Sequence, residues 1–255
     1  MFFSEYTFMG IDPTAGQRPF PYVALDGDLS LLAIGEGPME EVLAFAAGQR
    51  QALVAICSPH RPNQGLLARE EVRAALSPAP RPGRWMDFRL AEYELYQQAV
   101  YIPQTRRREE ECPGWMRMGF ALYRRLEKLG YRPYPSDQAE CQFIEVYPHA
   151  AFAGLLGVLP FPKESLEGRL QRQLVLYDRK LKIGDPMRIF EEISRYRLLK
   201  GILPTEDLFS AGELDAMVAA YTAWLVAHHP EQTSQVGDPE EGQIVLPVPE
   251  LIIET

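Results

Sequence analysis

Two carboxylates in this chain occupy positions where a carboxylate is expensive, and a third adjoins the apolar stripe of a helix. Asp12 closes the apolar run Tyr6 to Ile11 and is followed at once by Pro13. Glu145 lies inside the otherwise apolar run Cys141 to Val146, and Asp215 lies in the first turn of a helical pattern that opens at Ser210. A carboxylate in such surroundings is costly unless it holds a proton, meets a partner or binds a metal, and these are the chemical roles open to it. Each residue also has a structural reading. Asp-Pro commonly starts a turn, and a first-turn Asp favours the helix dipole. Strand alternation puts Phe8, Gly10 and Asp12 on one face, so Gly10 leaves room two positions before Asp12 for a ligand or another backbone.

The elements that would position these residues can be read in order. Tyr6 to Ile11, Phe20 to Leu25 and Leu29 to Ile34 read as three strands of a meander, with Asp26-Gly27-Asp28 as a hairpin turn. A helix from Gly37-Pro38 stops at Gly48, and Ala52 to Cys57 reads as a strand buried on both faces. Residues 60–140 carry helical patterns at Leu66 to Leu76, Asp87 to Val100 and Gly119 to Leu129, the first broken by Pro78, Pro80, Pro82 and Gly83. The run Arg106-Arg107-Arg108-Glu109-Glu110-Glu111 reads as a solvated i,i+4 ion-pair face, with phosphate binding as the alternative. Cys141 to Val146 is a fifth strand, and Pro148 suits the first position of a helix ended by Gly157. Ser210-Ala211-Gly212-Glu213 fits a capping box, and Leu214, Met217, Val218, Tyr221 and Leu225 form the stripe of the last helix. The acidic turn Gly237 to Gly242 leads to strand-like Ile244-Val245-Leu246, which ends the fold or comes near the site.

Composition narrows the class. With 255 residues, 46% hydrophobic and 24% charged, the chain can bury a sizeable core. No apolar run approaches the ~20 residues of a membrane span, so no membrane partner is expected. The N-terminus lacks a basic region before an apolar core, and three cysteines without CxxC spacing fit a reducing, cytoplasmic setting. A net charge of −9 argues against indiscriminate nucleic-acid binding. The charge is uneven, however: residues 1–50 sum to −5, 51–200 to +6 and 201–255 to −10. If the two acidic ends converge, the middle would supply a positive rim for a polyanion, with Arg169, Arg172 and Lys182 in the basic stretch 163–200 as candidate substrate contacts.

The order of three antiparallel strands, helix, strand, helical insertion, strand, helix is similar to that of the RNase H-like fold. The segments GIDPTAG (10–16), VAICSPH (54–60), FIEVYPHAAFAGLLG (143–157), ELDAMVAAYTA (213–223) and GDPEEGQIVLP (237–247) resemble the bacterial domain-of-unknown-function 429 family, described as RNase H-like nucleases. MGIDPTAG also looks like the opening of RuvC-type resolvases. The resemblance implies one α/β domain over 1–255 with a mixed five-stranded sheet, three antiparallel strands then parallel ones, and helices on both faces. A mostly helical insertion would span about 60–140 and a second helical excursion about 163–209. It further implies Asp12, Glu145 and Asp215 as catalytic metal ligands for Mg²⁺ or Mn²⁺, and nucleic acid as a partner. Where the family is expected to carry an Asp at the end of the fourth strand, this chain has Cys57. A thiolate suits Mg²⁺ poorly and Mn²⁺ or Zn²⁺ better. Cys57 is then a substituted ligand, a small buried hydrophobe in a site that has lost a metal, or an engineered change.

Three functions compete on these grounds. One is a metal-dependent, nuclease-like phosphodiester hydrolase. Another is a pseudo-nuclease that keeps the fold as a binding or scaffold module, motivated by Cys57 and the acidic balance. The third is an actin-like ATPase, which shares the meander and first-strand Asp but needs Gly-rich phosphate loops that are not found here.

Overall fold

The computed structural model describes residues 6–15, 18–81 and 83–254. Gly16, which ends GIDPTAG, and Pro82, one of the expected helix breakers, lie outside the described residues. The elements run β1 (Thr7–Ile11), β2 (Phe20–Leu25), β3 (Leu31–Gly37), α1 (Met39–Ala47), β4 (Ala52–Ile56), α2 (Glu70–Ala75), α3 (Leu90–Gln97) and α4 (Gly114–Lys128). They continue β5 (Arg132–Pro133), β6 (Cys141–Val146), α5 (Pro148–Leu156), α6 (Leu166–Asp178), α7 (Ile189–Glu192), α8 (Arg195–Leu199), α9 (Ala211–His228), β7 (Ser234–Asp238) and β8 (Gly242–Leu246).

The strands form one mixed sheet in the order β3-β2-β1-β4-β6-β8-β7, with β5 paired beside β6. β1, β2 and β3 are antiparallel neighbours, whereas β1–β4, β4–β6 and β6–β8 pair in parallel. Among the described residues the sheet therefore has eight strands rather than five. The two-residue β5 and the C-terminal hairpin account for the difference, because Ile244-Val245-Leu246 does not merely end the chain. It docks on the open edge of β6 and carries β7 antiparallel on its far side.

Alternation along the parallel strands divides the core. Phe8, Leu53, Ala55, Ile144 and Val146 face α9 and α5, while Met9, Ile11, Val54, Ile56 and Phe143 face α1 and α4. Helix α9 is apolar nearly all round, with Leu214, Ala216, Met217, Ala219, Ala220 and Ala223 fully buried. That pattern belongs to a helix covered on every side.

Local signals placed most boundaries. Gly48 caps α1, Gly157 adopts the left-handed region after α5, Pro148 opens α5, and Ser210 with Glu213 closes the predicted capping box. Other expectations moved. The third strand begins at Leu31 rather than Leu29, because Leu29 takes a positive φ of 58° and Asp26 Oδ1 accepts from the amides of Asp28 and Ser30 to build the turn. The pattern at Leu66 to Leu76 splits at Arg69, whose extended backbone separates a 3-10 turn from α2. The Arg/Glu run at 106–111 forms no i,i+4 helical face: it ends in one 3-10 turn, and Glu109 reaches across to Arg124 of α4 at 2.7 Å. Among the described residues no helix is long and apolar enough to cross a membrane.

Candidate functional site

The carboxyl ends of parallel strands β1 and β4 lie side by side, and the chain leaves the sheet there at Asp12-Pro13 and Cys57-Ser58-Pro59. In an open parallel sheet, this is the edge where ligand crevices form. The Cys57 amide donates to Ile11 O at 2.9 Å and the Asp12 amide to Pro21 O at 3.0 Å, so both residues are fixed by backbone before their side chains are considered.

Helix α9 brings the second carboxylate. A Cβ on Gly10 would stand 1.9 Å from Ala216 O and 2.6 Å from Ala220 N, so the helix backbone lies directly on the β1 backbone. The close approach that Gly10 permits is therefore filled by a helix. Gly212 extends the fit: a Cβ there would meet Pro21 Cγ at 2.7 Å and lie 3.8 Å from Asp12 Oδ2. Asp215, one turn further on, is 5% exposed and enters the same corner as Asp12. Two glycines and an alanine-rich helix thus carry a carboxylate from the C-terminal half onto the end of the first strand.

The pair looks into a cleft of about 920 Å³. Its walls include Arg18, Cys57, Tyr101, Trp115, Tyr147, His149, Phe161, Lys163 and Arg172. Lys163 Nζ donates to Asp215 Oδ2 at 2.7 Å, with its side chain half exposed to the cleft. Asp12 has no hydrogen-bond or ion-pair partner for its carboxyl group among the described residues. Burial, then the nearby Asp215 carboxylate, pushes Asp12 up to about 8, with Lys163 pulling the other way. Asp215 is also raised by burial, and Lys163 opposes that rise most strongly. Lys163 in turn is held above its ordinary range by Asp215, against the effect of burial. The corner therefore has two carboxyl groups and one cation in direct contact, with Arg172 and Glu164 acting on Asp215 in opposite senses, a charge set that favours holding a proton or another cation at Asp12.

Cys57 joins this corner as a neutral thiol. Its Sγ donates to the backbone carbonyl of Asp215 at 3.6 Å, and burial followed by the charges of Asp12 and Asp215 raises it well above the ordinary thiol range. Here it packs and donates rather than presenting a thiolate.

Glu145 is not part of this corner. In the β4–β6 register it pairs with Ile56, so it shares a face with Phe143 and points away from Asp12 and Asp215. Its carboxylate is taken by Arg89, Nη1 to Oε1 at 2.7 Å and Nη2 to Oε2 at 2.9 Å, and by the His60 amide at 2.9 Å. The expectation that it completes a ligand set with Asp12 and Asp215 fails on strand parity. The neighbouring acidic turn has a related structural role: buried Glu241 accepts from the amides of Gln64, Leu66 and Leu90.

The basic candidates separate similarly. Arg169 spends its guanidinium on Phe209 O and Leu208 O at 2.8 and 2.7 Å, fastening α6 to the segment before α9. Lys182 Nζ donates to Ser30 Oγ at 2.9 Å and braces the first hairpin, outside the cleft wall. Only Arg172 of the three lines the cleft, and it is buried there, donating to Phe161 O at 2.8 Å while stacking 5.2 Å from the Phe152 ring centre. Lys163, which does reach the carboxylates, was not singled out by its sequence. It sits in a Pro-rich connection before α6, and nothing in Phe161-Pro162-Lys163-Glu164 marks it apart from the other basic residues of 163–200.

Residues 49–241 match the family model described as Protein of unknown function (DUF429). The chain belongs to that family. The matched DUF429 span includes Cys57, Lys163, Arg172 and Asp215, while Asp12 lies before it. Searches of curated proteins and of solved structures returned no match.

Proposed function

We propose that this DUF429 protein is a phosphodiester hydrolase of RNase H-like architecture, working at the Asp12–Asp215 corner with one hard divalent cation. The observation that carries this reading is the convergence of a buried Asp215 and a part-buried Asp12, from opposite ends of the chain, at the inner end of a cleft walled by cations and aromatic rings. The strand order, with β1 between β2 and β4 and β6 on the far side of β4, agrees with such an architecture.

The donor chemistry favours one cation and not two. No group of three or more His, Cys, Asp or Glu side chains arranged to hold a metal occurs among the described residues. A two-metal pair needs bridging and flanking oxygen ligands on both ions, and Glu145, which was to supply the third carboxylate, is on the other face. Mg²⁺ or Mn²⁺, by contrast, is commonly held by one or two carboxylates with the remaining sites left to water and substrate phosphate. Asp12 and Asp215 fit that requirement. When bound, the ion would supply Lewis acidity and a more acidic water.

The protein's own groups supply the rest. Asp12 and Asp215 would give up the proton retained by the pair and hold the ion through their oxygens. Arg18 and Lys163 bring positive charge to the cleft wall for phosphate oxygens, and exposed Tyr101 and Phe161 offer faces for nucleobases. The direct test is Mn²⁺-dependent cleavage of single- and double-stranded DNA and RNA. Asp12→Asn and Asp215→Asn should each lower it at least a hundredfold, and unchanged cleavage in both would remove the reading.

A second reading rests on Cys57. Its thiol occupies the end of β4 as a hydrogen-bond donor to the Asp215 backbone, which suits a chain that retains the architecture as a nucleic-acid-binding module without turnover. Cys57→Asp separates the two: appearance of cleavage only in the variant favours the binding module, and strong wild-type cleavage favours the hydrolase.

A further inference from the structure

We infer that the Lys163 ammonium is a built-in second cation, filling the role that a second divalent ion would otherwise fill beside Asp215. The inference rests on the hydrolase reading above and concerns how its site is neutralised. Three observations support it. Lys163 Nζ already lies 2.7 Å from Asp215 Oδ2, at direct ion-pair distance, while Asp12 is left without a cation. Arg172 and Glu164 act on Asp215 in opposite senses without an ion-pair contact to it, so it is the Asp12 carboxyl that has room for one further cation.

The segment that carries Lys163 is also fixed in advance. Arg172 Nη1 clamps Phe161 O at 2.8 Å, Gln171 Oε1 accepts the Phe161 amide at 2.9 Å, and Ser165 caps α6 through the Gly168 amide at 3.0 Å. A lysine on a loose surface loop gives a weak, screened pair. This one projects from a backbone tied down on both sides, so less side-chain and loop entropy is lost in holding it at the carboxylate. The third observation is the thiol. Cys57 Sγ at the adjoining strand end donates to the Asp215 carbonyl at 3.6 Å, so the thiol is engaged with backbone there rather than offered to a second ion.

Lys163 is accordingly a positioning residue: it sets how many metal ions the carboxylates accept and how tightly. The test is Mn²⁺ binding to the full chain, followed by the loss of the free-ion signal in electron paramagnetic resonance. Wild type should bind one Mn²⁺ per chain. Lys163→Met should either bind two or bind the first at least tenfold more tightly, whereas Lys163→Arg should retain the single wild-type event. Thermal melting supplies a second readout that does not depend on activity, since saturating Mn²⁺ should raise the melting temperature of Lys163→Met more than that of wild type. Two ions in wild type, or a Lys163→Met affinity within tenfold of wild type at unchanged stoichiometry, would overturn the inference while leaving a metal-dependent hydrolase intact. Absence of Mn²⁺ binding in wild type and both variants would instead remove the metal reading, and the inference with it.

Discussion

Two buried carboxylate–cation clusters lie on opposite faces of one sheet, and they are built to different ends. On the α4 face, Arg89 is fully buried and grips Glu145 through two hydrogen bonds, with a third to Gly242 O at 2.9 Å. Glu92 and Glu241 complete the surroundings by accepting backbone amides of the insertion and of α3. On the α9 face, half-exposed Lys163 pairs with Asp215 alone, and Asp12 and Asp215 open onto a cleft. In the first cluster every carboxylate is taken by the Arg89 guanidinium or by backbone amides and is shut from solvent, although Arg89 Nε has no hydrogen-bond partner, so the cluster can hold the helical insertion against the sheet. The second leaves the Asp12 carboxyl without a hydrogen-bond or ion-pair partner among the described residues and has a route to solvent. A buried charge is tolerated when fully paired and becomes reactive when it is not.

The largest test of this contrast is Arg89→Met. Removing the arginine strands Glu145 in the interior, and breaking a buried pair in this way costs about 3–5 kcal/mol. Urea denaturation should show that loss in the midpoint, together with easier proteolysis of residues 60–110. A small change would mean that the α4-face cluster is not closed by its charges.

Gly10→Ala comes next. The new methyl meets the α9 backbone at 1.9 Å, where neither partner is a flexible side-chain end. Overpacking of this kind costs about 1–3 kcal/mol or more, and α9 can relieve it only by lifting from β1. The variant should lose Mn²⁺ affinity at the Asp12–Asp215 corner along with melting temperature. Loss of one without the other would uncouple the helix contact from the site.

Asp12→Asn should act in the opposite sense on stability. The Asp12 carboxyl is raised to about 8 in the folded chain, against about 4 in an unfolded one. The folded state therefore holds this proton more tightly, and its contribution to stability is complete below about pH 4 and is lost as pH rises through 8. Asparagine carries no charge to desolvate. The variant should match wild type near pH 4 and exceed it at pH 9 by on the order of 1–2 kcal/mol after solvent screening through the cleft. Urea midpoints across pH 4–9 measure the gap, and a gap that narrows with rising pH would show that Asp12 is not the unneutralised member of its cluster.

Much of this organisation was legible from residue patterns alone. The meander, the buried fourth strand, the Pro148 and Gly157 helix limits and the Ser210–Glu213 capping box all follow from local sterics and short-range hydrogen bonding, which the sequence states directly. The cost of Asp12 was equally visible, since an acidic residue closing an apolar strand is a local fact, whereas Asp215 by itself read as a first-turn acid favoured by the helix dipole. The same rule applied to Glu145 identified a buried carboxylate correctly but left its partner unknown.

Only the tertiary structure decided which carboxylates meet. Parity in the β4–β6 register turned Glu145 to the other face, where Arg89, 56 residues earlier, was waiting in the insertion. Lys163 became the cation of the cleft, and Arg169 and Lys182 became braces, because loop and helix positions on opposite sides of the chain set which atoms come within hydrogen-bond reach. Sequence determines the charge a residue carries and the local shape of its backbone. The compensation of that charge depends on long-range contacts, and at the end of β1 it is those contacts that leave Asp12 facing a cleft without a partner.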